Sequence, residues 1–255
     1  MPLLRKLYRS LLLILLIIIG LVLSLLFLRG SASPGSLSSR ITCRWLGSVA
    51  RALGVRVKIH GRPNHEHTLF VGNHISWLDI LVLGSIVPVH FLSKHEVKTM
   101  PVIGALATRA GTLYIHRGRH ESASKAGEDI SRVLRQKHNA LVFAEGTTSD
   151  GNIRKFHSRM LQAAIDSQAM LQPVAIFYPH RDRQTGEIRV DFNALFIGNT
   201  TIGESFNRVA RARRIDAEVH YLTPVSAAGK TRAELAQYAF EQVVDCIARI
   251  KSGKA

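Results

Sequence analysis

Residues 68–79 read TLFVGNHISWLD, and this stretch restricts the fold more than any other. The apolar run 69–71 ends at Gly72, a polar cluster follows at Asn73, His74, Ser76 and Asp79, and a second apolar segment covers 80–87. A buried strand that delivers polar side chains to the end of a sheet and then turns into a helix has this pattern. His74 would stand at the carboxyl end of the strand and Asp79 in the first turn of the helix, so that the two meet across a tight turn. An imidazole that donates one ring N–H to a carboxylate is held in one tautomer, and its other nitrogen is left to accept a proton. That arrangement is a general base in need of a hydroxyl. A competing reading exists, because Ser76 and Asp79 also fit the capping box that satisfies free amides at a helix start.

From residue 55 onward, short apolar runs alternate with helical periodicity. Strands are expected at 55–59, 69–71, 90–92, 112–115, 140–143, 171–177, 188–192 and 218–222, and helices at 78–87, 102–110, 121–137, 157–167 and 232–251. Such alternation predicts an α/β fold with a central mixed sheet flanked by helices. No internal repeat interrupts it. The economical division is one domain over 54–255, with its motif core at 68–180, preceded by a membrane anchor over 1–53.

The anchor rests on residues 11–28, eighteen positions without a charge, flanked by Arg5, Lys6 and Arg9 on one side and Arg29 on the other. This is long enough for a hydrocarbon core of about 30 Å, and longer than the apolar core of roughly 15 residues usual in a cleaved signal peptide. After a Gly/Ser/Pro-rich linker, residues 40–53 form a basic amphipathic helix in which Ile41, Trp45, Val49 and Leu53 share one arc. A basic amino terminus stays cytoplasmic, so a spanning helix would export the domain. Chemistry that draws on a cytoplasmic co-substrate would therefore require the segment to lie within one leaflet. The 34 Lys and Arg against 18 acidic residues, a net +16, call for an anionic partner. Beside an apolar anchor, an anionic membrane and phosphate outrank nucleic acid. Cys43 and Cys246 show no metal or disulfide spacing.

Two further strands end in polar groups. Residues 111–117 read GTLYIHR, and 139–151 read NALVFAEGTTSDG, where a strand breaks into Glu145, Gly146 and Thr147. Lys94 ends a third strand, and Arg154, Lys155, His157 and Arg159 follow close behind. In open α/β sheets, ligands bind beyond the carboxyl ends of strands. A metal hydrolase is the enzyme rival, since His60, His65, His67 and His74 crowd together, but none has helical ligand spacing and no resident metal is expected. A non-catalytic lipid-binding module would explain the anchor and the charge while leaving His74, Asp79 and Glu145 idle.

Residues 73–79 resemble the NH-x4-D signature of the glycerophospholipid acyltransferases. Gly111, Tyr114, Ile115 and Arg117 resemble that family's second block, residues 143–147 (FAEGT) its third, and Gln172, Pro173 and Val174 its fourth. The resemblance implies that His74, oriented by Asp79, deprotonates a lysophospholipid hydroxyl, which attacks an acyl thioester carried on coenzyme A or acyl carrier protein. It implies no other cofactor and no covalent acyl-enzyme. It assigns the acceptor's headgroup to Arg117, Glu145, Gly146 and Thr147, with Lys94 a further contact. The implied product is phosphatidic acid from 1-acyl-sn-glycerol-3-phosphate, made at the cytoplasmic face of a bacterial inner membrane. Ala144 replaces the family's usual proline, and Thr148 stands where many members carry arginine. The EGTTSDG form resembles a branch that includes lyso-ornithine-lipid acyltransferases, which makes lyso-ornithine lipid the alternative acceptor.

Overall fold

Backbone pairing joins most of the apolar runs from residue 55 onward into one mixed sheet. The computed structural model describes residues 2–27, 35–116 and 120–254. Helices α1 (Pro2–Phe27) and α2 (Leu37–Ala52) precede β1 (Val55–His60), β2 (Thr68–Gly72), α3 (Leu78–Ile86) and β3 (His90–Lys94). There follow α4 (His95–Lys98), α5 (Ile103–Arg109), β4 (Leu113–Ile115), α6 (His120–Arg135), β5 (Ala140–Phe143) and α7 (Gln162–Asp166). The chain closes with β6 (Met170–Phe177), β7 (Pro179–Arg181), β8 (Ile188–Val190), α8 (Ile202–Arg211), β9 (Ile215–Tyr221), β10 (Val225–Ser226) and α9 (Arg232–Lys251).

The strand order is β1-β9-β6-β2-β5-β3-β4, with β10 paired to β6. From β6 to β4 all neighbours are parallel, while β9 runs antiparallel to β6 and β1 parallel to β9. Parallel strands are buried on both faces, and β2 is buried at every position. The parallel block therefore brings the carboxyl ends of β2, β5, β3 and β4 to one rim. Gly72 is needed where β2 passes β6, since a Cβ there would meet the Val174 carbonyl oxygen at 2.9 Å. Phe70 meets Tyr221 edge-on at 5.7 Å, and Tyr221 lies beside Cys43, so this face of the sheet is covered by α2. Side chains alternate along a strand. Glu218 and His220 therefore occupy the opposite face, near Cys246 of α9.

Three expectations change in detail. The strand expected at 188–192 pairs with β7 in a separate two-stranded ribbon. The helix expected at 157–167 is reduced to a 3-10 turn (Arg159–Leu161) followed by α7, because the His157 amide is drawn to the Ala144 carbonyl (2.8 Å). Helix α8 was not anticipated, although Thr201 and Glu204 form a complete capping box at its start.

The amino-terminal helices are folded onto the domain. Arg5 donates to the Arg211 carbonyl (2.8 Å), and buried Arg9 donates to those of Val209 and Ala212 (both 2.9 Å), capping the carboxyl end of α8. Near the other end of α1, Arg109 of α5 donates to the Ser24 carbonyl (3.3 Å). Between these points Gly20 meets α2 so closely that a Cβ would sit 2.6 Å from the Trp45 ring, whose Nε1 donates to the Leu16 carbonyl (2.7 Å). Helix α1 is inverted relative to a soluble surface helix: Arg9, Gly20 and Ser24 face inward, while Leu7, Leu11, Ile14, Leu15, Ile18 and Val22 face out. It is long and apolar enough to cross a membrane.

Candidate active site

The strand β2 ends at Gly72, and the next residue continues its pairing by side chain alone. The Asn73 carboxamide accepts from the Ile176 amide and donates to the Ile176 carbonyl (both 2.9 Å), imitating one more peptide of the ladder. This fixes the direction in which His74 leaves the sheet. Its Nδ1 donates to Asp79 Oδ2 at 2.7 Å, as the sequence spacing suggests. The same oxygen accepts the Ile75 (2.8 Å) and Ser76 (3.1 Å) amides, and the other accepts the Tyr178 hydroxyl at 2.6 Å. Asp79 thus holds the turn before α3 and the ring with one carboxylate, while the expected capping box does not form, since α3 starts from Trp77 without a side-chain cap. Asp79 is wholly buried, and four donors around it compensate for lost water. Burial, then the neighbouring Asp79 charge, pushes the Tyr178 phenol well above its usual value, so it stays a donor.

His74 stacks on Phe143 with centroids 3.9 Å apart and its side chain is 20% exposed. With Nδ1 protonated toward Asp79, Nε2 presents its lone pair at the rim, and no described hydrogen bond engages it. The loop after β5 supports the pair from the other side. Glu145 Oε1 accepts the His74 amide and Oε2 accepts the Arg154 amide (both 2.9 Å), and Ser149 N donates to the His74 carbonyl (2.7 Å). Burial raises the Glu145 carboxyl above the usual range, against the lowering effect of these donors. Gly146 takes φ +69°, which a Cβ disfavours, and so turns the chain back beneath His157.

The structure brings His74, Asp79, Glu145, Gly146 and Thr147 to one rim. Glu145, Gly146 and Thr147 line a depression with Arg154, Lys155 and His157. Lys94 stands exposed at the end of β3, two strands away from β2. Arg117 lies outside the described residues. Thr148 turns from the depression and donates its hydroxyl to the Phe196 carbonyl. Tyr178 and Asn73 complete the constellation without having been singled out from sequence for these roles. Asn73 was visible in the polar cluster, while the only signal for Tyr178 was a hydroxyl closing the apolar run of β6. A separate apolar cavity of about 170 Å³ is walled by Ile80 and Leu81, by Phe91, and by Gly20 and Trp45 of the amino-terminal helices. Phe91 lies 6.5 Å from Phe143, which in turn carries His74.

A histidine–aspartate pair on the carboxyl rim of a mixed α/β sheet has the geometry of an imidazole held in one tautomer with a free nitrogen, as a general base requires. The acyltransferase family model matches residues 55–177, the span from β1 through β6. The lyso-ornithine lipid O-acyltransferase of Pseudomonas aeruginosa is 37% identical over 94% of this chain and 92% of its own length. The 1-acyl-sn-glycerol-3-phosphate acyltransferase of Neisseria gonorrhoeae is 32% identical over 57% of this chain and 58% of its own. Among solved structures, the 1-acyl-sn-glycerophosphate acyltransferase PlsC of Thermotoga maritima matches with a TM-score of 0.69 at 20% identity, covering 98% of this chain and 95% of that one. The chain belongs to the acyltransferase family.

Proposed function

We propose that this protein transfers a fatty acyl group from an acyl thioester, carried on coenzyme A or acyl carrier protein, to the free hydroxyl of a lysolipid. The observation that carries the reading is the 2.7 Å bond from His74 Nδ1 to Asp79, which leaves Nε2 as a base at the rim. Nε2 takes the hydroxyl proton as the acceptor oxygen attacks the thioester carbonyl. The tetrahedral intermediate then expels the thiolate, the carbon–sulfur bond breaks, and the imidazolium returns its proton to sulfur. An ester and a free thiol result, and His74 ends as it began. The apolar cavity beside Phe91 accommodates part of an acyl chain, one aromatic pair away from the base.

The acceptor reading follows the Pseudomonas aeruginosa relative, which matches along nearly the whole chain, and is lyso-ornithine lipid. The Arg154 and Lys155 side of the depression suits its carboxylate, and Thr148 supplies no charge there. A second reading, 1-acyl-sn-glycerol-3-phosphate, is favoured by the same basic pair, which suits a phosphate equally. Acyl-transfer assays with both acceptors, against acyl-CoA and acyl carrier protein donors, separate the two. Activity on lyso-ornithine lipid that disappears in His74→Ala supports the reading, and no transfer to either acceptor with either donor defeats it.

The anchoring is read as lying within one leaflet at the cytoplasmic face of a bacterial inner membrane. In support, α1 is held by the domain near both ends, across about 22 Å of helix. Protease added outside right-side-out vesicles should spare the carboxyl terminus, and cleavage from outside would refute this placement.

A further inference from the structure

On the sheet face opposite His74, the edge strand β1 and its neighbour β9 place three metal-ligating side chains together. His60 and His220 are register partners, and their rings stack with centroids 4.1 Å apart and planes 2° from parallel. Glu218 sits two residues along β9, on the same face. Ligand atoms of His60, Glu218 and His220 all lie within 4.8 Å of one another. Nε2 of both histidines is buried without a hydrogen-bond partner, and His220 is 8% exposed. The nearest acceptor to His220 Nε2 is Glu218 Oε2 at 3.7 Å, too long for a hydrogen bond. Orphaned buried nitrogens are costly and uncommon, and two in one cluster beside a carboxylate need a common cause.

We propose that His60, His220 and Glu218 form a binding site for a divalent transition metal ion, with zinc as the best match. Two imidazoles and one carboxylate supply the nitrogen and oxygen donors that zinc takes, and water fills the fourth position of a tetrahedron. The other Glu218 oxygen already faces Lys58 at 3.8 Å, which orients the carboxylate and offsets part of its charge. The ligands sit on two paired strands, so the scaffold is rigid, and Glu218 and His60 are both partly exposed. The site is separate from the acyl-transfer machinery: β9 and β1 are two and three strands from β2, roughly 10–15 Å away. Its effect is a clamp. Strand β1 pairs with β9 alone among the described residues and carries the amino-terminal hairpin, so an ion bridging His60 to β9 would fasten the hairpin to the sheet.

The test uses the full-length chain purified in detergent and stripped with a chelator. Zinc titrated calorimetrically, and cobalt followed through its visible absorption, should each bind at one equivalent, and zinc should raise the melting temperature. His60→Asn and His220→Asn should abolish the saturable step and the thermal shift, while Glu218→Gln weakens both. His60 is on an edge strand and partly exposed, so His60→Asn keeps the test sound even if His220→Asn folds poorly. Acyl transfer by metal-free protein should match that of His60→Asn, which separates this site from the catalytic reading. No binding to the stripped protein overturns the proposal, and so does equal affinity in His60→Asn, which would place the ion on other histidines.

Discussion

Asp79 does two jobs with one carboxylate, and substitutions at this residue and its contacts separate them. If it served only to start α3, Asp79→Asn would cost about 1 kcal/mol of stability and leave turnover intact. Because Oδ2 also holds the His74 Nδ1 proton, the amide should lower turnover severely, approaching the ~10²–10⁴-fold loss expected for His74→Ala. Steady-state rates of both variants, set beside their melting temperatures, decide this, and an active Asp79→Asn would remove the pair from the mechanism. Tyr178→Phe leaves Oδ1 without its hydroxyl donor. We expect about 1–3 kcal/mol of lost stability, read from denaturant midpoints, and a smaller fall in rate than for Asp79→Asn, since the His74 contact survives. These residues were not equally legible in the sequence. His74 and Asp79 are joined by a local turn, so spacing alone predicts their meeting. The Tyr178 contact depends on β6 lying beside β2 in one register, Gly72 opposite Val174, and no short-range pattern encodes that. Glu145 was visible as an acid after a strand, but its use by the His74 and Arg154 amides required the loop to fold back.

Helix α1 shows how an element's neighbours decide its meaning. Its composition permits a membrane span, yet its inward face is built from Arg9, Gly20 and Ser24, which fit against α8, α2 and α5. Gly20→Val would force the Trp45 ring away, because even a Cβ sits 2.6 Å from it. The variant should remain membrane-bound through its outward Leu and Ile residues, while its melting temperature falls and the 35–52 region becomes more sensitive to limited proteolysis; an unchanged digestion pattern would show that α1 and α2 do not pack through Gly20. Element identities were largely readable because apolar periodicity is a local property. The buried strands β2, β5 and β6 stand out as short apolar runs, and α9 as a long one-sided helix. Helix α8 escaped notice because its apolar positions are few, although its Thr201 and Glu204 cap was in plain view. The strand expected at 188–192 pairs outside the central sheet, with a β7 that no apolar run announces, since strand periodicity does not name a partner.

The stability of the whole molecule should depend on pH through histidines that the fold keeps neutral. His90 begins β3, donates from Nδ1 to the Gly111 carbonyl at 2.7 Å, and faces His138 at 3.3 Å. A carbonyl oxygen accepts only, so Nδ1 carries the proton and the ring needs no second one. Burial lowers the His90 pKa below 6.5, with the His138 and Arg132 charges adding to the shift, and His138 is lowered by burial as well. For a base whose folded pKa is depressed, the unfolded chain binds protons first as pH falls. The stabilisation from keeping these rings neutral is therefore complete above the unfolded value and is lost as pH drops through about 6.5 toward the folded one. Glu145 has the opposite sign: its raised carboxyl favours the folded state below 4.5, and that contribution fades as pH rises through the folded value. A variant comparison isolates the histidine contribution. His90→Gln can still donate to Gly111 but cannot titrate, so the wild-type advantage in melting temperature should narrow between about pH 8 and about pH 5.5. A gap that stays constant across that range would mean that His90 titrates alike in both states, and the burial of β3 would then have no part in the acid sensitivity of the fold.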